Sequence, residues 1–279
     1  MAIKDVLLTL TSYPEPTPVS VIEDAVSFAS SLGAHIAAIA CEARVEIPGT
    51  FLSSSLVDVA GIVASEARKS LKNAQDLLTS FESAAERAGL LHEKILERCV
   101  TYKVSDTFVE YSRLRDLTII SVPDSYNQWY AEAVIFGSGK PTLVLPERHR
   151  TNWFELKTVV VAWDFSRTAA RAIADAMPVL EKAQQVRVVT VFNEKALGAR
   201  NSAEEVAKNI SRHGVYVTLD EVGAAARTIG EVLESHAASC GADALVMGAY
   251  GHSRLREFIL GGATRSLLAS PPLPILFSH

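Results

Sequence analysis

The chain has 279 residues, a net charge of −5 and 48% hydrophobic residues, which is typical of a globular protein of about two domains. The acidic balance argues against a nucleic-acid partner, because contact with a phosphate backbone requires a basic face. No apolar run is long enough to span a membrane and no basic, then apolar, leader precedes the first strand, so we predict a cytoplasmic protein without a membrane partner.

The first half of the chain alternates apolar runs with amphipathic stretches. Residues 4–10 predict a strand, residues 19–32 a helix and residues 36–41 a second buried strand. A long stretch of helix-forming residues, 53–91, follows. Two more apolar runs complete this half, and the last one, residues 142–145, is introduced by a proline, as is common at the start of a strand.

The second half repeats this order of elements. Residues 157–163 resemble residues 4–10, and a predicted helix, 168–183, and a predicted strand, 186–192, follow in the same sequence. The extra length of the first half falls mainly within residues 53–91, whereas only the second half has a glycine-rich segment before its last strand. The repeat predicts two domains, 1–149 and 153–279, with a polar boundary between them.

Alternating apolar strands and amphipathic helices are typical of a parallel sheet that helices cover on both faces. The predicted fold class is therefore α/β, with two tandem, doubly wound, five-stranded and mainly parallel sheets of Rossmann-like type. In such sheets ligands bind beyond the carboxyl ends of the strands.

The candidate ligand-binding residues lie at these strand ends in the second half. Glycines let the backbone approach a ligand closely, and the free N–H groups at a helix start attract an anion. An aspartate can accept a hydrogen bond from a ribose, whereas an arginine and a threonine can donate to phosphate. The candidates are Ala162, Trp163, Asp164, Val191, Met247, Gly248, Gly251, Arg254, Gly261, Gly262, Ala263 and Thr264.

The spacing Gly248-x2-Gly251-x9-Gly261, directly after an apolar strand, is similar to the nucleotide-binding motif of universal stress proteins. The run that ends at Asp164, followed by Ser166, resembles the first strand of that family and its aspartate. The resemblance implies a tandem universal stress protein with an adenine-nucleotide-hydrolase-like fold. It also implies binding of ATP or another adenine nucleotide, with or without Mg²⁺, and a role in the stress response.

Two departures from the family pattern limit this expectation. Gly262 stands where nucleotide-binding members carry Ser or Thr, and the loss of one hydrogen bond to phosphate weakens binding by about one to two decades. In the first half Thr11 replaces Asp164, and Ser121–Asp124 replaces the glycines after the strand. We therefore expect a nucleotide in the second half only.

Two other interpretations of the function stay open. The glycines can serve only as turns and caps, and Asp164 can simply cap the following helix, which would leave a scaffold that recruits protein partners without a ligand. Slow nucleotide hydrolysis is a further alternative, although the motif has no P-loop lysine and we predict no enzyme. The three cysteines and seven histidines show no metal-ligand spacing, and we predict reduced, inert thiols.

The family resemblance also implies an assembly, because universal stress domains commonly dimerise through their fifth strands. Here both such strands belong to one chain, and pairing them removes two exposed strand edges. We therefore predict a pseudo-twofold pair of domains within the chain. Residues 53–91, which have no counterpart in the second half, are predicted to stay free and to join two chains into a homodimer.

Overall fold

The computed structural model describes residues 2–44, 59–122, 128–147, 156–192, 200–249 and 262–279. Strands and helices alternate throughout both halves, which confirms the predicted α/β class. The first half contains β1 (Asp5–Leu10), α1 (Val19–Leu32), β2 (His35–Arg44), α2 (Val59–Arg87), β3 (His92–Val100), α3 (Val104–Arg113), β4 (Leu117–Val122), α4 (Gln128–Gly137) and β5 (Thr142–Pro146). The second half contains β6 (Thr158–Ala162), α5 (Arg167–Leu180), β7 (Gln185–Phe192), α6 (Arg200–Ser211), β8 (Val217–Gly223), α7 (Ile229–Ser239), β9 (Ala244–Gly248), α8 (Gly262–Ala269) and β10 (Ile275–Ser278).

The ten strands form one continuous sheet in the order β3-β2-β1-β4-β5-β10-β9-β6-β7-β8. All neighbours are parallel except β5 and β10, which pair antiparallel with Ile275 opposite Val144 and Phe277 opposite Thr142. The two five-stranded sets thus meet at their fifth strands, which confirms the predicted pairing within one chain. The predicted domain boundary at residues 149–152 lies outside the described residues, and the limits of the two domains stay a prediction.

Helices cover both faces of the sheet, as the continuous apolar strands require. Buried side chains of α1, α2, α5 and α6 share one core cluster with one set of strand residues. Those of α3, α4, α7 and α8 share a second cluster with the alternate strand residues, because successive side chains of a strand point to opposite faces. In the described residues, no helix combines the length and hydropathy that a membrane span needs.

The predicted role of residues 53–91 as a free dimerisation element is wrong. The helix α2 packs on β2 and α1, and it buries Ala74, Leu77, Phe81 and Ala85 in the core. It occupies the face and the chain position that α6 occupies in the second half, so it has a counterpart. The apolar positions of α2 need burial on the sheet, and the free energy of that burial, about 1.5–3 kcal/mol for each large side chain, fixes the helix there. Residues 53–58 lie outside the described residues.

Candidate nucleotide site at the carboxyl edge of the second half

The structure brings together the predicted site residues that follow β6, β7 and β9. The strand β6 lies between the other two, with Val161 opposite Val246 and Ala162 opposite Val189. The Trp163 N–H donates to the Val189 carbonyl at 2.8 Å, which extends the pairing with β7 beyond the last residue of β6. Ala162–Asp164 therefore lies between Val191 and Met247–Gly248, as the parallel order predicts.

The loop after β6 turns sharply into α5. The Ser166 N–H donates to Asp164 Oδ1 at 3.0 Å, and Ser166 Oγ accepts from the Ala169 N–H at 3.0 Å as the N-cap of α5. Between them Phe165 has φ 63°, a left-handed conformation that is rare for a bulky residue and is often found at functional sites. The Asp164 carboxylate is exposed and holds this turn by accepting from the Ser166 N–H, but Ser166 and not Asp164 is the N-cap of α5, so the capping interpretation of Asp164 is wrong.

The indole of Trp163 is buried beside this turn. Trp163 is 8% exposed and its ring packs edge-on against Phe165, with 5.7 Å between the ring centroids. Within the described ranges its buried N–H has no hydrogen-bond partner. Buried donors are nearly always satisfied, so this unpartnered group at the sheet edge calls for a water or a ligand atom.

Gly248, at the end of β9, is needed for packing. A Cβ at this position would lie 2.5 Å from the Ala169 nitrogen and 2.7 Å from Thr168 Oγ1, so only glycine lets the start of α5 approach β9 this closely. The sequence motif did not reveal this helix contact. A contact of Gly248 with a ligand stays a prediction.

The helix α8 begins at Gly262, within the glycine-rich segment. Gly262 is exposed, and an added Cβ would meet no atom within 4 Å, so a larger side chain fits there. Thr264, predicted to offer its hydroxyl to phosphate, is 3% exposed in the first turn of α8, and Ala263 is half-buried. Gly251, Arg254 and Gly261 lie outside the described residues.

The sequence model of the Universal stress protein family matches residues 155–279, the part of the chain that contains this edge. Residues 155–279 form a universal stress domain. A comparison with curated protein sequences found no match. Two solved structures are similar over nearly the whole chain, and at their low sequence identity they establish the fold alone.

The first of these structures is a universal stress protein from Archaeoglobus fulgidus. It shares 16% identity, covers 98% of this chain and 95% of its own, and has a TM-score of 0.71. The second is a functionally unknown protein from Pseudomonas aeruginosa with 14% identity, 99% and 92% coverage, and a TM-score of 0.59. Both alignments include the first half, to which the family match does not extend.

In the first half, side chains of α2 bridge the edge that corresponds to the candidate site of the universal stress domain. Ser70 is fully buried, and its Oγ lies 2.9 Å from Ser12 Oγ and accepts from the Ala43 N–H at 2.9 Å. Asn73 donates to the Ser12 carbonyl at 3.0 Å. These bonds connect the loop after β1 to the end of β2 through α2.

The loop after β1 is also closed by its own side chains. The Thr11 N–H donates to Thr17 Oγ1 at 2.9 Å, and Ser12 Oγ donates to the Cys41 carbonyl at 2.5 Å. Thr11, which stands where the universal stress domain has Asp164, therefore supports a local turn. The absence of a nucleotide in the first half stays a prediction.

Replacing Ser70 with alanine is expected to lower the free energy of unfolding by about 1–3 kcal/mol, because it leaves the buried Ala43 N–H without its acceptor. Equilibrium urea unfolding of the full chain measures this change. Ser65→Ala is the matched control on the same helix, since the Ser65 hydroxyl is exposed and bonds only the nearby Ile62 carbonyl. Equal unfolding midpoints for the two variants would contradict the bridging role of Ser70.

One cluster of metal-ligand side chains escaped the sequence reasoning, because its members lie on a helix and on the strand that follows it. Ligand atoms of Glu82 and Glu86 on α2 and of His92 on β3 lie within 4.8 Å of one another. The Lys94 ammonium lies 2.6 Å from Glu82 Oε2 and supplies a positive charge to the cluster. The His92 Nδ1 lies 3.0 Å from the Leu90 carbonyl. We assign the cluster an ion-pair role between α2 and β3.

Proposed function

We propose that this chain is a nucleotide-binding regulatory protein of the stress response, which holds one adenine nucleotide, ATP, in its second half. The observation that carries the proposal is the contrast between the two carboxyl edges. In the first half Ser70 and Asn73 of α2 bind the loop after β1 and the end of β2. In the second half the corresponding region carries Gly248 at the end of β9 and the exposed Gly262 at the start of α8.

The phosphates would bind at the start of α8. The first N–H groups of a helix have no partner within the helix, and the helix dipole favours an anion there. Gly262 keeps this end of α8 accessible, because it is exposed and carries no side chain. Gly251, Arg254 and Gly261 come from the same motif, and Arg254 would add a charge-assisted hydrogen bond.

The nucleoside would bind between the ends of β6, β7 and β9. The Asp164 carboxylate would accept a ribose hydroxyl, and Ala162, Val191 and Met247 would line the base. Mg²⁺, if it accompanies the nucleotide, would bind mainly through the phosphates, since Asp164 is the one carboxylate among the candidate residues.

The nucleotide would act as a bound signal rather than as a substrate. The motif has no P-loop lysine, and apart from Asp164 the candidate residues offer no general base. We expect phosphate release from ATP at a rate far below the ordinary enzyme value of about 1 s⁻¹. A coupled phosphate assay on the full chain measures the rate, with Asp164→Asn as the control for contaminating activity. Release at 1 s⁻¹ or faster that Asp164→Asn abolishes would make the protein a hydrolase.

The proposal includes a cytoplasmic homodimer. The fifth strands are already paired within the chain, so two chains have to meet elsewhere.

A further inference from the structure

Two buried cysteines lie together in the first half, away from the candidate nucleotide site. Cys41 on β2 is 2% exposed and Cys99 on β3 is 8% exposed. Cys41 pairs with Glu97 and Ala43 pairs with Cys99, so the cysteines are offset by two residues on neighbouring parallel strands. Their side chains point to the same face, into the core cluster beneath α3 and α4.

The two thiols differ in their tendency to ionise. A hydrogen bond between them raises the pKa of Cys41 and lowers that of Cys99, and burial raises the pKa of both. Thr107 on α3 also bonds Cys99 and lowers its pKa, whereas Glu97 acts in the opposite direction. Tyr130 on α4 is the remaining titratable neighbour, and burial is the main cause that raises its pKa to about 12. Cys99 is therefore the better nucleophile of the pair.

Cys99 also has the better route to solvent. Its strand, β3, is an edge strand of the sheet, and Cys99 is the one buried residue of β3. It lies next to the last residue of the strand, just before the short 3-10 turn Thr101–Lys103 that leads into α3. The end of an edge strand opens locally at a small free-energy cost, and the start of a helix stabilises a nearby thiolate.

We propose that Cys41 and Cys99 form a dithiol site that hydroperoxides oxidise reversibly to a disulfide. The Cys99 thiolate attacks one oxygen of hydrogen peroxide and the O–O bond breaks. This gives a sulfenic acid on Cys99, and the hydroxide that leaves takes up the thiol proton as water. The Cys41 sulfur then attacks Cys99 Sγ, the S–O bond breaks and a second water leaves. The two thiols lose two electrons in total, and the peroxide is reduced to two waters.

The offset between the cysteines explains why the disulfide would be easily reduced. Diagonal neighbours on adjacent strands have Cα atoms about 7–8 Å apart, whereas disulfides usually join Cα atoms about 4.4–6.8 Å apart. Closing the bond therefore requires a shift of the end of β3, which an edge strand permits. Disulfides under such strain are the ones that small thiols such as glutathione reduce readily.

Peptide mapping of the oxidised full chain tests this proposal. The native protein is treated with a few equivalents of hydrogen peroxide, its remaining thiols are alkylated, and its peptides are analysed by mass spectrometry without reduction. We expect the loss of two of three thiols per chain, a cross-linked peptide that contains Cys41 and Cys99, and recovery of all three thiols with glutathione. Three intact thiols, or a cross-link through Cys240, would overturn the proposal.

Single variants separate the roles of the two thiols. In Cys41→Ser we expect a sulfenic acid on Cys99 that dimedone traps, whereas in Cys99→Ser we expect peroxide consumption at least 10-fold slower than in the native chain. Cys240→Ser is the matched control and should still lose two thiols, because Cys240 lies on the other half of the chain. Circular dichroism verifies that each variant is folded. Dimedone labelling of Cys99 in urea but not in the native chain would also overturn the proposal.

Discussion

Replacing Gly251 with valine is expected to abolish ATP binding by the full chain, with a loss of affinity of at least about 100-fold, or about 2.7 kcal/mol. The glycine spacing predicts that the backbone at this position approaches a phosphate, and a branched side chain would occupy the phosphate position. Isothermal titration calorimetry on the native chain, with ATP as the titrant, measures the effect.

Gly262→Ser in the same experiment is expected to tighten binding by about 10- to 100-fold, because it restores a hydroxyl that can bond phosphate. The side chain fits, since no atom lies within 4 Å of an added Cβ. Gly262→Ala is the matched control, as it adds the carbon without the hydroxyl. Equal affinities for the native chain, Gly251→Val and Gly262→Ser would show that the motif does not bind the phosphates.

Gly248→Ala is expected to lower the free energy of unfolding by about 2–3 kcal/mol, the range for overpacking a well-packed core. The added Cβ would lie 2.5 Å from backbone atoms of Thr168 and Ala169, and two backbone segments cannot separate without displacing α5 from β9. Equilibrium urea unfolding measures the change.

Gly262→Ala is again the control for this substitution. The added methyl group meets no neighbour at the start of α8, so its effect should stay within about 0.5 kcal/mol. Equal urea midpoints for the two variants would contradict the packing explanation, in which the close approach of α5 to β9 requires glycine at position 248. The pair thus separates a glycine needed for the fold from one that leaves room for a ligand.

Most of the fold could be predicted from the sequence, because buried apolar residues recur along the chain with the period of a strand or a helix. The helix α1 has the predicted bounds, Val19–Leu32, because its apolar positions repeat with the period of a helix. The pairing of β5 with β10 was implied by the family resemblance and supported by two short apolar strands with unprotected edges. The bounds of α1 thus needed only a local pattern, whereas the strand pairing also needed the resemblance.

The role of α2 could not be predicted in the same way. Its apolar positions indicate that one face requires burial, but the pattern does not say which surface covers that face. Counting the extra residues of the first half suggested an insertion. In the structure α2 is instead a longer counterpart of α6, the helix at the same chain position in the second half. Ser70 and its bonds to Ser12 and Ala43 depend on tertiary packing, and a serine in a helix carries no local signal of such a role.

At the candidate site, too, some features could be predicted from the sequence and others depend on tertiary packing. The order of parallel strands predicted that Asp164, Val191 and Gly248 come from neighbouring strand ends, and the structure places them so. The unpartnered N–H of Trp163, the left-handed Phe165 and the contact between Gly248 and α5 needed coordinates. The proximity of Cys41 and Cys99 likewise depends on the register between β2 and β3, which pairing fixes and sequence spacing does not.

Native mass spectrometry of the full chain with excess ATP tests the central claim most directly, because it counts nucleotides on the intact protein. We expect one ATP for each chain, hence two in a homodimer, since α2 bridges the edge of the first half and the motif lies in the second. Gly251→Val should remove that single nucleotide and leave the number of chains in the assembly unchanged. Two nucleotides per chain, or none at millimolar ATP, would contradict the account.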